Sequence, residues 1–161
     1  MRLYREKGGI MPSSITVYNN FKRFGHEDLE DNEVKLLLVT SAYTPSALHD
    51  ILADVLSSPS PEVVAIASPD NGYTQGGEVL TSKTITLSDS PAQSVFDAAN
   101  LTWAALTATF RYGILYINAT IGGFVNPLIA YILFDITPAD IVVNGIDWTV
   151  QWNPSGILQI L

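Results

Sequence analysis

Residues 107–118 form the run that most restricts how this chain can fold. The sequence there is Thr-Ala-Thr-Phe-Arg-Tyr-Gly-Ile-Leu-Tyr-Ile-Asn, rich in β-branched and aromatic side chains, with Arg111 as its one charge. Such a run is typical of a strand that is buried on both faces. We therefore predict a buried strand here. A second uncharged strand, residues 128–134, is predicted to pair with it as a hairpin across a glycine-containing loop.

Arg111 is the exception in this predicted strand. A buried charge without a partner is very costly, so the guanidinium must find an acid. One interpretation is an ion pair with an acid of the same chain. The other is an ion pair across a subunit interface. The sequence alone leaves both interpretations open.

The rest of the chain reads as short strands separated by turn residues, with two helical patterns. The strands are predicted at residues 34–40, 63–67, 79–87, 95–97, 101–104, 147–152 and 157–161. The helices are predicted at residues 13–24, ending near Gly25, and from Pro45 onward. We expect a mainly β fold, a single β-sandwich or jelly-roll-like domain with one or two short helices near the N-terminus. Residues 1–26 would be a basic arm with a short helix, and residues 27–161 a β-rich body.

The composition predicts a homo-oligomer. The chain is 47% hydrophobic but only 15% charged, whereas charged residues usually make up about 25% of a soluble domain. Few solvated side chains remain to cover a monomer, and surplus apolar surface usually marks contacts between proteins. The predicted interface residues are Arg111, Tyr112, Tyr116, Trp148 and Trp152.

The charges are divided unevenly along the chain, whose net charge is −8. Residues 1–26 carry five basic residues and one acid, whereas the remainder carries three basic residues and fifteen acids. An acidic body argues against nucleic-acid binding, which needs clustered basic groups. The basic segment is either a solvated tail or a docking element for an acidic partner. The predicted contact residues are Arg2, Arg5, Lys7, Phe21, Lys22 and Arg23.

No catalytic, cofactor or metal motif is recognised. The chain has no cysteine and no Gly-x-Ser-x-Gly turn. His49 and Asp50 are neighbours that would not face each other in a helix. The acids near strand ends read as turn formers rather than paired carboxylates (Asp89, Asp97, Asp135 and Asp147). A polar start predicts no signal peptide, and breaks within the uncharged residues 112–134 predict no membrane span.

Several motifs, taken in their order along the chain, resemble a family of small virion structural proteins of tailed bacteriophages. Examples are Gly-Tyr-Thr-Gln-Gly-Gly at 72–77 and Thr-Phe-Arg-Tyr-Gly-Ile-Leu-Tyr at 109–116. The other matching stretches are residues 18–22, 34–45, 49–50, 96–98, 101–103, 127–134, 148–152 and 156–158. The chain departs from the family at residues 98–100 and in the glycine insert at 122–123, and residues 1–12 have no counterpart.

The resemblance implies a non-enzymatic, β-rich virion component. The implied role is capsid decoration at the outer surface of the virion, with the major capsid protein as partner and a homo-oligomer, preferably a trimer, as the bound form. The alternative is a tail, baseplate or host-recognition component, in which loop aromatics such as Tyr73 or Phe124 would stack on sugars.

Overall fold

The computed structural model describes residues 2–3, 9–24, 26–57, 59–68, 70–89, 92–135, 137 and 139–160. Strands dominate and the helices are short, so the predicted mainly β, sandwich-like fold is confirmed. The strands are β1 (Arg2–Leu3), β2 (Gly9–Ile10), β3 (Ser14–Val17), β4 (Val34–Val39), β5 (Glu78–Val79), β6 (Thr84–Asp89), β7 (Ala92–Asp97), β8 (Leu101–Phe110), β9 (Tyr112–Ile117), β10 (Thr120–Ile121), β11 (Phe124–Val125), β12 (Leu128–Leu133), β13 (Ile141–Val150) and β14 (Leu158–Ile160). The helical elements are a 3₁₀ turn at Asn20–Arg23, α1 (His26–Asp31) and α2 (Leu52–Val55).

The largest sheet is antiparallel, with the strand order β3-β12-β9-β4-β5. Its central strands are buried on both faces. In β4, Leu36 and Leu38 join the main core on one face, whereas Leu37 and Val39 join a second cluster on the other. A sheet covered on both faces needs apolar residues at successive positions, which explains the unbroken apolar runs of these strands.

Two further sheets enclose the main core. Strands β8 and β13 form a long antiparallel ladder, and β1 and β2 pair in parallel with the two ends of β13. A three-stranded antiparallel sheet has the order β14-β7-β6. The main core contains side chains from all three sheets, among them Leu36, Trp148 and Phe96. Buried side chains that interdigitate between sheets are the basis of a β-sandwich.

The second cluster lies on the opposite face of the large sheet. Tyr18, Tyr43, Leu52 and Val55 pack there against Ile114 and its neighbours in the sheet. Of the described residues in the helix predicted from Pro45 onward, only the four residues of α2 are helical. The residues before α2 are turns and extended chain. Its buried residues nevertheless cover the sheet.

The strand predicted at residues 107–118 is two strands. Strand β8 ends at Phe110 and β9 begins at Tyr112, and the two belong to different sheets. Arg111 lies between them, and its backbone N–H donates to the Val39 carbonyl at 2.9 Å. The chain passes from one layer of the sandwich to the other at this residue, a change that the periodicity of side chains does not encode. The predicted hairpin is confirmed as β9 paired with β12.

The helix predicted at residues 13–24 is wrong in its first half. Residues 14–17 form β3, which pairs with β12 along the edge of the large sheet. The β-branched Ile15, Thr16 and Val17 favour this extended conformation. The 3₁₀ turn replaces the second half, and Gly25 is outside the described residues. Because β2 and β3 are both paired, residues 9–24 belong to the body rather than to a separate arm.

Two other strand predictions also change. Residues 63–67 form no ladder, and only isolated bridges occur here, from Glu62 to Val39 and from Ala67 to Asp70, among the described residues. The strand predicted at residues 79–87 is divided into β5 and β6 around Ser82, whose φ is +51°. A positive φ is uncommon for a residue with a Cβ, so this break was not expected from the alternation of side chains.

Lys83 joins α1 to the start of β6. Its Nζ donates to the carbonyls of Leu29 at 2.5 Å and Glu30 at 3.1 Å, and also to that of Asn32. The last carbonyls of a helix have no partner within the helix, and a lysine can satisfy them. Partial burial of the ammonium lowers the pKa of Lys83, while nearby acids of this segment oppose the shift.

Candidate functional site

The predicted partner contacts whose side chains the structure describes lie on the 3₁₀ turn. Phe21 is only 2% exposed and packs in the main core, so its prediction as a contact residue is wrong. Lys22 and Arg23 are exposed. Arg2 lies in β1, whereas Arg5 and Lys7 are outside the described residues. The surface expected along a basic arm therefore reduces, in the described chain, to two neighbouring cations on a turn.

Arg23 is held in place by contacts to both sides. Its Nη1 donates to Oδ1 of the buried Asn20 at 3.3 Å. Its guanidinium carbon lies 5.6 Å from the centre of the Phe124 ring, within range for a cation–π contact. Phe24 meets the same ring edge-on, with centroids 5.9 Å apart. The arginine is thus ordered on an aromatic platform while remaining exposed.

The hairpin tip after β9 supplies that platform. Strands β10 and β11 pair around Gly122 and Gly123, which are both exposed. Val125 beside them is 56% exposed. We name Lys22, Arg23, Phe24, Phe124 and Val125 the basic–aromatic patch. Gly122 and Gly123 therefore directly precede Phe124, whose ring contacts the predicted contact residue Arg23.

Neither cation of the patch has an ion-pair partner among the described residues, where the ion pair present is Arg111 with Asp140. Lys22 Nζ instead donates to Asn19 Oδ1 at 3.3 Å. In the described part of the chain, no ion pair therefore neutralises these two positive charges, although the protein has a net charge of −8. The patch is a positive site on an acidic molecule.

Arg111 forms an ion pair within its own chain. Its Nε donates to Asp140 Oδ1 at 2.9 Å, and the two side chains are 27% and 35% exposed. The intrachain interpretation is therefore confirmed for this contact, and the arginine is not enclosed in a strand. That Arg111 also faces another subunit stays a prediction.

Exchanging Arg111 for methionine should lower the free energy of unfolding by less than about 1 kcal/mol, because an ion pair this exposed is screened by water. Assembly should be unchanged. Urea unfolding and sedimentation equilibrium test both statements, with Asp140→Asn and the double variant as controls that close a thermodynamic cycle. A folded Arg111→Met variant that dissociates would instead place the residue at a subunit interface.

The other predicted interface residues have roles within the chain. Trp148 is 1% and Trp152 6% exposed, and both belong to the main core. Trp152 Nε1 donates to the Ala99 carbonyl at 3.0 Å. Tyr116 is buried, whereas Tyr112 is half-buried against Tyr43. Burial within the single chain accounts for Trp148, Trp152 and Tyr116, and their location at a subunit interface stays a prediction.

A buried carboxylate that the sequence analysis missed holds a loop on the large sheet. Glu62 is 7% exposed. Its Oε1 accepts hydrogen bonds from the Tyr73 hydroxyl at 3.0 Å and the Gly76 N–H at 2.6 Å. The hydroxyl of Tyr73 in turn accepts from the Leu38 N–H at 3.2 Å. The only signal in the sequence was an acid beside an apolar run, which does not identify its partners.

His49 belongs to a chain of hydrogen bonds rather than to a pair with Asp50. Its Nδ1 is 3.1 Å from the Tyr43 hydroxyl, which is 2.7 Å from the Tyr18 hydroxyl. Asp54 Oδ2 accepts the backbone N–H groups of residues 50 and 51 and thereby caps α2. Tyr43, His49 and Asp54 line an open depression of about 250 Å³. These hydrogen bonds connect side chains and backbone groups of the fold and therefore have a structural role.

Burial raises the pKa of four tyrosines of these networks. Desolvation is the main cause for Tyr18, Tyr43, Tyr73 and Tyr116, and the pKa of Tyr116 reaches about 12. In the unfolded chain a tyrosine loses its proton near pH 10. Above pH 10 deprotonation therefore favours the unfolded state, so their contribution is complete below pH 10 and is lost as the pH rises further.

We accordingly expect stability to fall steeply above pH 10. Part of the tyrosinate absorbance should appear only together with the loss of the native circular dichroism. The Tyr116→Phe variant should have a smaller late component. A complete tyrosinate signal near pH 10 in a protein with native circular dichroism would contradict the burial of these hydroxyls.

The acids considered as paired carboxylates accept hydrogen bonds from nearby backbone groups where their side chains are described. Asp97 accepts the Ala98 N–H and Asp147 the Ala105 N–H, at 2.9 and 3.0 Å. Asp135 accepts the N–H and hydroxyl of Thr137. The side chain of Asp89 is outside the description. The bonds of Asp97 and Asp135 are local, as expected of turn formers, whereas Asp147 bonds a residue of β8 across the ladder.

Among the described residues, no group of three or more His, Cys, Asp or Glu side chains is placed to hold a metal ion. None of the helices in the described chain has the length and apolar character needed to cross a membrane. Comparison of the sequence with protein-family models and curated proteins, and of the fold with solved structures, found no match.

Proposed function

We propose that this chain is a non-enzymatic structural protein of a tailed-bacteriophage virion, where it decorates the outer surface of the capsid. The observation that carries the proposal is the division of polar groups between the interior and the surface. Glu62, Tyr73 and His49 are engaged in bonds that hold loops, whereas Lys22 and Arg23 are exposed and form no ion pair with any acid of the described residues. Such an arrangement suits binding better than catalysis, and the family resemblance supplies the virion context.

The surface composition supports assembly into a homo-oligomer, with a trimer as the preferred form. Several large apolar side chains are exposed in the single chain: Met11, Leu48, Val64, Ile66, Leu87 and Val125. The low charged fraction of 15% points the same way. A lattice has local symmetry axes, and a symmetric oligomer fits them. The major capsid protein is the proposed partner in the virion.

Quantitative mass spectrometry of purified virions tests the proposal through the copy number of this chain relative to the major capsid protein. A decoration protein should be present at a ratio near stoichiometric. A few copies per particle would favour the alternative role in the tail, baseplate or host recognition. Absence from virions would overturn both. Tail proteins measured in the same sample provide the internal control for low copy number.

The structure weakens one argument for the alternative. Tyr73, suggested for stacking on sugars, is 4% exposed, so that suggestion is wrong. Phe124 is half-buried, and its ring is already in contact with Arg23. The hairpin tip at Phe124 therefore supports a charged binding surface more than a sugar platform.

Deleting residues 1–26 is a poor test of partner binding. The deletion would remove β3 from the edge of the large sheet and Phe21 from the main core. Loss of capsid binding would then reflect unfolding as much as loss of contacts. Point substitutions on the exposed side chains of the 3₁₀ turn separate these effects.

A further inference from the structure

We infer that the basic–aromatic patch binds a carboxylate-bearing segment of a partner protein. The patch consists of Lys22, Arg23, Phe24, Phe124 and Val125, as defined above. In the virion this inference rests on the proposed function, because the partner would then be an acidic segment exposed on the capsid lattice. The chemistry of the patch can also be tested apart from the virion.

The first argument is charge. Lys22 and Arg23 are exposed, and among the described residues no acid forms an ion pair with either. The chain as a whole has twice as many acids as basic residues, 16 against 8. Two adjacent cations without an ion-pair partner among the described residues present a local positive potential, which attracts an acidic surface.

The second argument is the order of Arg23. A guanidinium has five N–H donors in a fixed fork that matches a carboxylate. In the described chain one nitrogen of Arg23 bonds Asn20, and the ring of Phe124 lies 5.6 Å from the guanidinium carbon. Asn20 is itself buried and donates to the Asp50 carbonyl at 3.5 Å. This support reduces the rotamer freedom that binding would otherwise remove.

The third argument is the shape of the surroundings. A Cβ added to Gly122 or Gly123 would meet no atom within 4 Å, so the hairpin tip is open on that side. A peptide backbone can approach a glycine tip closely because no side chain blocks it. Val125, 56% exposed, and the half-buried Phe24 offer apolar contacts beside the charges. Cationic and apolar contacts together favour a peptide with acidic and apolar side chains.

The same features disfavour a nucleic acid or a lipid surface. Nucleic-acid binding depends on neutralising a series of phosphates, and anionic membranes are bound by clusters of about four to eight basic residues. The patch has two cations, and the chain as a whole has a net charge of −8. One or two carboxylates of a protein segment match this number of charges.

An NMR titration at low salt tests the inference with a glutamate-rich peptide as the probe. We expect saturable shifts of the amide signals of the patch and of the Nε–H of Arg23. A glutamine peptide of the same length should cause no such shifts. The Lys22→Gln/Arg23→Gln variant should bind the acidic peptide at least about tenfold more weakly, because charge-assisted hydrogen bonds are lost.

The matched control variant is Thr109→Glu/Gln151→Glu. It changes the net charge by the same amount at exposed positions on β8 and after β13, and it should bind the peptide as the wild type does within about twofold. No shifts, or shifts centred away from the patch, would overturn the inference. Stronger binding of a DNA oligonucleotide or an anionic phospholipid vesicle at the patch would replace it with a phosphate ligand.

Binding to virions that lack this protein separates the two proposals. Loss of virion binding in Lys22→Gln/Arg23→Gln, with binding kept in the control variant, supports both. Equal binding of the two variants to virions would overturn the patch as the lattice contact while leaving the decoration role intact. Peptide binding at the patch without any virion binding would overturn the decoration role instead.

Discussion

Replacing Gly77 with alanine is expected to lower the free energy of unfolding by at least about 3 kcal/mol. Gly77 precedes β5 with a φ of +78°, a conformation that costs a residue with a Cβ about 1–2 kcal/mol. The added Cβ would also overlap the carbonyl group of Leu36 and the Cα atom of Leu37, both in β4. Because these are backbone atoms of a central strand, the clash can be relieved only by moving the sheet.

Gly122→Ala is the matched control for this prediction. Its φ is +55°, but open space surrounds the position of the new Cβ. Only the backbone strain of about 1–2 kcal/mol should remain. Urea unfolding followed by tryptophan fluorescence measures both variants. Equal losses in the two would contradict the close approach of Gly77 to β4.

The central strands of the large sheet could be predicted from the sequence because burial on both faces requires a continuous run of apolar residues. β4, β9 and β12 are runs of apolar residues. The predicted ends of β4 and β12 differ from the observed ends by at most one residue, whereas β9 was predicted only as part of the longer strand 107–118. Their pairing followed from the turn residues between β9 and β12. Such information is contained within a few neighbouring residues, so periodicity and turn composition are sufficient to find it.

The sequence analysis missed the point at which the chain passes from one sheet to the other, because no pattern of neighbouring residues marks it. Around Arg111 the sequence keeps the composition of one strand, yet Phe110 pairs with Ile141 of β13 while Tyr112 pairs with Leu133 of β12. The choice of partner is made by residues distant in the chain. The N-terminal segment is a similar case. The helical spacing of apolar residues in 13–24 predicted a helix, but pairing with the edge of β12 stabilises residues 14–17 as strand β3.

The candidate site was only half predictable for the same reason. The exposed charges of Lys22 and Arg23 could be recognised as a basic segment. Their platform, Phe124, is distant in the sequence and is brought near by the hairpin tip. Glu62 likewise became meaningful only once Tyr73 and the turn at Gly76 had been placed around it. Contacts between distant residues require the topology to be known first.

Replacing Trp148 with alanine should lower the free energy of unfolding by about 3–5 kcal/mol, the range for deleting a large buried aromatic side chain. Trp148 is 1% exposed and contacts three other aromatic rings. Its centroid distances are 4.7 Å to Phe110, 5.1 Å to Phe134 and 5.5 Å to Trp103. The substitution would leave a cavity between the β8–β13 ladder and the large sheet. Such a loss is a large fraction of the total stability of a small domain, about 5–15 kcal/mol.

Trp148→Phe separates packing from assembly. In the described chain the buried indole N–H of Trp148 has no acceptor, so phenylalanine removes an unsatisfied donor while keeping an aromatic ring. The loss should be smaller than for alanine, about 1–2 kcal/mol, with the oligomeric state unchanged. Urea unfolding and sedimentation equilibrium measure the two effects. If Trp148→Ala kept its full stability and dissociated, Trp148 would act at a subunit interface, and its burial within one chain would be contradicted.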